Sequence, residues 1–246
     1  MGETISPLAS GGLMKLHFFN RSDEVEADFP FTLVRTHRKK SASIKIIEGE
    51  VKITIPKRLS QSGLKELIRK KSPWVLEKLR VQAEMEPIVP KAYVSGESFT
   101  YLGTNYRLNL IHNSKEGVKL KGGQLLVGAD GDVRAALVAW YQHHAEERLG
   151  EKTVRYAKLL GVVPNSIVVR EYKSRWGSCS CHGDIRYNWK IIIAPNRIVD
   201  YVVVHELCHI LQHNHSSAFW SSVERVIPNY KGCRQWLKEN GMRLFV

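Results

Sequence analysis

The chain has 246 residues, 43% of them hydrophobic, which is enough for one large domain or two small domains with a real core. No run approaches the roughly eighteen apolar residues of a membrane span, and the N-terminus lacks a signal-peptide pattern, so we expect no membrane contact and a cytoplasmic location. The net charge of +13, from 37 Lys and Arg against 24 Asp and Glu, indicates either a nucleic-acid or other polyanion partner or an ordinary basic surface.

Residues 1–27 are rich in Gly, Ser and acidic side chains, and we expect a flexible tail there with no role in chemistry. Residues 28–128 are expected to form a basic, β-rich portion. Alternating apolar and polar residues predict a small antiparallel sheet with a hairpin at residues 48–50, built from strands at 31–35, 42–47 and 51–55. Between residues 35 and 80 the chain has fourteen Lys or Arg against four Glu, so most of the excess positive charge lies in this portion.

Two helix starts follow the hairpin. Ser62 can cap a helix over residues 64–71, and Ser72-Pro73 can start a second helix through about residue 83. We favour a structural helix pair over a DNA-binding helix-turn-helix, because the first helix has only about two turns and Trp74 and Leu76 look like packing residues. Short strands separated by glycines are then predicted at residues 98–102, 105–111, 117–121 and 124–127.

Residues 129–246 are predicted to form a second, compact portion. It begins with a helical region over residues 133–160 that Gly150 is expected to divide into two helices. The pattern then predicts a tight turn at residues 176–179 and strands at 167–172, 184–189 and 190–194. A helix that includes residues 198–209 is expected next, then a helix over residues 216–226 and a final packing helix. Four cysteines are too few and too irregularly spaced for a disulfide framework, so we expect reduced thiols at Cys179, Cys181, Cys208 and Cys233.

The most informative stretch is His205-Glu-Leu-Cys-His209. Residues four apart share one face of a helix, so His205 and His209 can bind a single zinc ion. Glu206 is rotated by about 100° from that stripe and can act as general base toward a zinc-bound water. Valines and isoleucines upstream predict a buried helix that holds these side chains rigidly.

Two histidines compete to be the third ligand. If the helix continued, His213 would lie about 12 Å along the axis from His205, at roughly 1.5 Å per residue. That is too far for two nitrogens that must each lie about 2 Å from one ion. Asn214 tolerates the left-handed conformation that ends helices, so a turn there can bring His215 back to the metal. His205, His209 and His215 would then leave an open position for water, as a catalytic zinc site requires.

The C-terminal half contains a series of motifs: Arg175-Trp-Gly-Ser-Cys-Ser180, Ile185-Arg-Tyr-Asn-Trp189, Ile193-Ala-Pro195, Asp200-Tyr-Val-Val-Val-His-Glu-Leu-Cys-His209 and Asn214-His-Ser216 with Phe219-Trp220. Together they resemble the successive motifs of the YgjP-like metallopeptidases, a family related to the WLM and SprT-type zinc proteases. The resemblance runs from about Val34 to Trp236. It implies metal ligands at His205, His209 and His215 and a catalytic acid at Glu206.

We therefore expect an α+β protein in which a zincin-like metallopeptidase domain at residues 129–246 follows the β-rich N-terminal portion. Its expected function is zinc-dependent hydrolysis of peptide bonds in a protein or peptide substrate. The resemblance to WLM and SprT-type proteases implies proteins associated with nucleic acid as one class of substrate. The alternative is a nucleic-acid-binding module with a structural zinc, against which the open fourth position argues. The sequence does not indicate an oligomeric state.

Overall fold

The computed structural model describes residues 26–37, 41–47, 49–84, 89–112 and 117–246. These residues form a mixed α+β structure, which confirms the expected fold class. Most of the expected tail at residues 1–27 and the basic residues 38–40 lie outside the described residues. The chain divides into two compact units, residues 1–88 and residues 89–246.

The described residues of the first unit form a three-stranded sheet and one helix. Its strands are β1 (Phe31–Thr36), β2 (Ser43–Ile47) and β3 (Glu50–Pro56), in the order β1-β3-β2. The hairpin of β2 and β3 is antiparallel as expected, but β1 pairs with β3 in parallel, so the expectation of a purely antiparallel sheet is wrong. Alternating residues of β3 point inward, and Val51, Ile53 and Ile55 are buried.

The expected helix pair is a single helix, α1 (Gln61–Glu84), with Pro73 inside it. Ser72 does not cap a new helix, because its hydroxyl donates to the carbonyl of Ile68 one turn earlier, at 2.9 Å. Leu64, Ile68 and Val75 form one buried stripe along α1 that packs with the strand residues of this unit. Continuous burial on both sides of the proline outweighs the backbone hydrogen bond that the proline lacks.

The second unit begins with a four-stranded sheet of β4 (Ser98–Tyr101), β5 (Thr104–Ile111), β6 (Lys119–Lys121) and β7 (Gln124–Gly128), in the order β4-β5-β7-β6. The boundary between the compact units lies at residues 88/89, and this sheet shares its core with the rest of the second unit. The expected domain boundary at residues 128/129 stays a prediction. Gly103, at a φ of +83°, packs so closely that an added Cβ would lie 2.7 Å from Cα of Pro195.

A long helix and a second small sheet follow. Helix α2 (Val133–Leu160) is capped by the Asp132 side chain and ends at Gly161 in the left-handed conformation. It passes through Gly150 without the expected break. The strands β8 (Ser166–Arg170), β9 (Gly177–Cys179) and β10 (Asp184–Asn188) form a sheet in the order β8-β10-β9, so the expected tight turn at residues 176–179 is a strand at a sheet edge.

The expected strand at residues 190–194 is a 3-10 helix, Trp189–Ile193, whose three isoleucines are all buried. A short apolar run of this kind fits either a strand or a buried turn of helix, and periodicity alone does not separate them. Three α-helices follow, α3 (Asn196–Leu211), α4 (Ser217–Val226) and α5 (Tyr230–Asn240), and a short 3-10 helix, Gly241–Arg243, comes last. In the part of the chain that the structure describes, no helix is both long and apolar enough to cross a membrane.

Candidate metal centre

Helix α3 carries His205, Glu206 and His209, and its burial fixes their directions. Its upstream aliphatic side chains and Leu207 and Cys208 are almost fully enclosed by the core. A salt bridge of 2.6 Å from Lys152 of α2 to Asp200, both with side chains less than one-fifth exposed, ties the helix further in place. The rings of His205 and His209 lie one turn apart with centroids separated by 5.0 Å, on the face that reaches solvent.

His215 reaches the same place from the loop between α3 and α4. The helix ends at Leu211 because Gln212 is extended, with φ −143° and ψ 107°. Asn214 is not among the described residues with a positive φ, so the expected left-handed turn is wrong. Its side chain instead accepts a hydrogen bond from the amide of Ser216, and the Ser216 hydroxyl caps α4. The extended residue and the side-chain turn together reverse the chain.

The three histidines His205, His209 and His215 form a group whose ligand nitrogens all lie within 4.8 Å of one another. The Nε2 atoms of His205 and His215 are 3.2 Å apart. Two nitrogens bound tetrahedrally to one zinc at about 2.0–2.1 Å would be roughly 3.3 Å apart, so this spacing suits a shared ion. His213 is exposed and is not part of the group.

The surroundings of the histidines favour the neutral, metal-binding form of imidazole. Burial is the main cause that lowers the pKa of His205 to about 3, and the other two imidazoles add to it. Burial also lowers the pKa of His209. Nδ1 of His209 is 3.1 Å from the carbonyl oxygen of Gln212, to which it can donate, and that bond leaves Nε2 free for a ligand. Nδ1 of His205 faces the hydroxyl of Tyr201 at 3.5 Å.

Aromatic residues of α4 hold the three imidazoles together. The ring of Phe219 is fully buried and contacts all three, with centroid distances between 4.6 and 5.0 Å. Trp220 stacks with His215 at 5.4 Å and with Tyr230 at 5.0 Å. Sequence analysis quoted Phe219 and Trp220 only within a motif and missed this support. Their position three and four residues after a capping serine was the available signal.

Glu206 lies beside the histidines and is almost fully buried, with 5% of its surface exposed. Burial raises the pKa of this carboxyl group to about 8, and the positive charge of Arg175 opposes that shift. A bound dication would favour the carboxylate in the same way as Arg175 does. A carboxyl group whose ionised form is disfavoured by burial and favoured by a nearby positive charge is typical of acid–base groups in active sites.

Strand β9 approaches Glu206 at a residue that sequence analysis did not select. A Cβ added to Gly177 would lie 2.6 Å from Oε1 and 2.7 Å from Cγ of Glu206. Such distances require a neighbouring atom to shift, so a side chain at this position would displace the carboxylate. A glycine here lets the strand lie directly against it. Gly177 is paired with Tyr187 in the antiparallel pair of β9 and β10, which fixes its position.

Asn188 secures the loop that leads into β9. This side chain is only 3% exposed, and its amide nitrogen donates to the carbonyl oxygens of Tyr172 and Arg175 at 3.0 and 3.2 Å. Its backbone amide donates to the carbonyl of Trp176 at 2.8 Å. The indole of Trp176 is half-buried and packs against the core. The loop therefore delivers Gly177 to Glu206 through hydrogen bonds that converge on one buried asparagine.

The cysteines take no part in this group. All four are free thiols, and Cys179 and Cys208 have pKa values raised to about 11, chiefly by burial. Cys179 and Cys181 do not belong to any metal-binding cluster of three or more side chains among the described residues. The described cysteines are therefore consistent with the expected reduced thiols.

A His-Glu-x-x-His helix with a third histidine, on an α+β fold, is typical of metallopeptidases. A family model described as "YgjP-like, metallopeptidase domain" matches residues 40–240. The chain belongs to the YgjP-like metallopeptidase family. Membership of this family implies a metal cofactor and protein or peptide substrates.

Among solved structures, the chain is similar to the metallopeptidase zymogen abylysin of Pyrococcus abyssi. The two share 26% sequence identity over 37% of this chain and 93% of that chain, with a TM-score of 0.34. A search of curated proteins finds no match.

Proposed function

We propose that this protein is a zinc-dependent peptidase in which His205, His209 and His215 bind the metal and Glu206 is the general base. The observation that carries the proposal is the convergence of three imidazoles beside a buried carboxylate on one rigid helix. Family membership supports the peptidase class. The unpaired cysteines support a reducing compartment such as the cytoplasm.

The donor set fits zinc. Three neutral imidazole nitrogens are typical ligands of a catalytic zinc ion, whereas structural zinc is normally closed by four protein ligands. The group contains no fourth His, Cys, Asp or Glu among the described residues. A zinc ion held there would supply a Lewis acid for the scissile carbonyl and lower the pKa of a coordinated water to about 7.

The chain's own groups would then carry the protons and orient the peptide. The carboxylate of Glu206 accepts the proton of the attacking water and returns it to the leaving amine, so no covalent bond to the enzyme forms. Gly177 keeps this carboxylate in place, and β9 lies at the edge of its sheet. An extended peptide can add to that edge by backbone hydrogen bonds.

Metal removal tests the proposal. Purified protein is expected to contain about one zinc ion per chain and to cleave members of an unbiased peptide library. Chelation should abolish cleavage and added zinc should restore it, because metal binding and activity share one site. Full cleavage by protein shown to be free of metal would contradict the proposal.

Action on proteins associated with nucleic acid is a second candidate, and one observation in the first unit favours it. Lys45 and Lys52 lie directly opposite each other on β2 and β3, and both are exposed. Like charges in this position destabilise a sheet, so their presence suits a polyanion partner. The positive charge of this unit is not spread evenly, because Arg80 on α1 is already paired with Glu77 and Glu84. The alternative to a peptidase is a nucleic-acid-binding module with a structural zinc and no hydrolysis. The metal-removal experiment distinguishes the peptidase from this module, because only the peptidase would show cleavage that depends on the metal.

A further inference from the structure

One face of α5 is basic. Lys231, Arg234 and Lys238 are exposed and spaced by three and four residues, so they lie along the same side of the helix. A neighbouring side of the helix contributes Tyr230 and Cys233 to the core. At roughly 1.5 Å per residue the three charges extend over about 10 Å of the helix.

This basic face is linked to the candidate metal centre by stacked rings. The guanidinium carbon of Arg234 lies 5.2 Å from the ring centre of Trp220, and Trp220 stacks with His215 at 5.4 Å. The charge of Arg234 is therefore within about 11 Å of a candidate metal ligand. Because an extended chain advances about 3.3–3.6 Å per residue, that distance corresponds to about three residues of a bound peptide.

The three charges are not neutralised within the described part of the chain. None of them forms a salt bridge with a carboxylate there. Together with Gln235 they line a surface cavity of about 500 Å³. Lys231 and Arg234 lie over the rings of Tyr230 and Trp220, and these uncharged rings attract the cations without neutralising them.

We infer that Lys231, Arg234 and Lys238 form a specificity-determining surface that binds a carboxylate of the peptide substrate within about three residues of the scissile bond. This inference rests on the proposed peptidase function and adds a substrate class, acidic peptides. Three cations over one short helix face match one or two carboxylates. A nucleic-acid duplex would instead require a longer track of phosphate contacts.

The test uses pairs of decapeptides that differ only in carrying Glu or Gln, with that residue moved through every position. We expect the Glu peptides to be cleaved with kcat/KM about fivefold higher when the acid lies near the cut, which corresponds to about 1 kcal/mol, the upper end for an exposed ion pair. The gain should appear mainly in KM and should decrease as salt is added.

Variants assign the preference to this face. Replacing the two lysines, Lys231→Gln with Lys238→Gln, should bring the Glu to Gln ratio close to one without touching the Trp220 stack. Arg234→Gln should do the same and Arg234→Lys should restore most of the ratio. As a matched control, Arg155→Gln with Lys158→Gln removes two exposed charges from α2 and should leave the ratio unchanged.

Binding of the same decapeptides, now carrying a fluorescent label, to the Glu206→Gln protein separates this inference from the proposed function. Tighter binding of Glu peptides without cleavage by the wild-type protein would contradict only the peptidase proposal. Cleavage with equal rates for Glu and Gln peptides would overturn the inference. It would also be overturned if the three substitutions weakened binding of duplex DNA while the peptide preference persisted, because the face would then be a nucleic-acid contact.

Discussion

Gly177 is the position at which one added methyl group should most affect the proposed catalysis. In Gly177→Ala the new Cβ would lie 2.6 Å from Oε1 of Glu206, and neither the paired strand nor the buried helix can move away easily. The carboxylate must therefore rotate. A displacement of about 1 Å in a reacting group costs on the order of a hundredfold in rate. We expect that loss in kcat/KM on a peptide substrate, with zinc content unchanged.

Gly150→Ala is the matched control, because no atom lies within 4 Å of the Cβ that it adds on α2. It should retain full activity and gain slightly in helix stability. Wild-type activity in Gly177→Ala would show that the close approach of β9 does not position Glu206.

His215 and His213 allow a direct test of the third ligand. His215→Ala should lose the metal, because its Nε2 lies 3.2 Å from that of His205. His213→Ala should keep it, because His213 lies outside the group. Elemental analysis of both variants after the same dialysis measures this. Retention of zinc in His215→Ala with loss in His213→Ala would reverse the assignment.

Among the helices and strands, sequence patterns predicted the elements that depend on their own residues and not on distant contacts. The buried stretch of valines predicted α3, and the helical repeat placed His205 and His209 on one face of it. Pairing partners, such as the parallel neighbour of β3, depend on distant contacts and were not predictable. The same holds for α1 and α2, which continue through Pro73 and Gly150 because each has a continuous buried stripe.

The residues of the candidate site also fall into those that local sequence predicted and those that it did not. Histidine spacing predicted the three histidines that the structure brings together, and their binding of a metal stays a prediction. Gly177, Asn188 and Phe219 were missed because their roles come from contacts between elements that are distant in sequence. Strand β9 has only three residues, and glycine is a poor strand former, so its pattern was not recognisable.

The turn between β4 and β5 provides a test of how the second unit is held together. Gly103→Ala should lower the free energy of unfolding by about 1–3 kcal/mol more than Gly123→Ala, because overpacking adds to backbone strain. Both glycines have a positive φ, +83° and +75°, but only Gly103 contacts Pro195, at the start of α3. Denaturant unfolding of both variants measures the difference. Equal losses would mean that this contact contributes nothing to stability.

At the scale of the whole molecule, the net charge of +13 predicts binding to nucleic acid without strong sequence preference. Affinity for duplex DNA should fall steeply with salt, with a logarithmic slope of about 0.9 per neutralised phosphate. Changing Lys45, Lys52, Lys70 and Lys71 to Glu should flatten that slope and leave zinc content intact, since these exposed residues belong to the first unit. If no DNA binding is detected even at low salt, the nucleic-acid hypothesis is wrong and the positive charge is an ordinary basic surface.

The Glu206→Gln variant tests the central claim, hydrolysis by a metal centre with a carboxylate base, most directly. The amide preserves the shape of a side chain that is 95% buried but cannot accept a proton from water. Zinc content and peptide cleavage should be measured on the same sample. We predict about one zinc ion per chain, an unchanged fold, and a loss of cleavage on the order of a hundredfold or more. A zinc-loaded Glu206→Gln protein that cleaves the same peptides at the wild-type rate would contradict the claim.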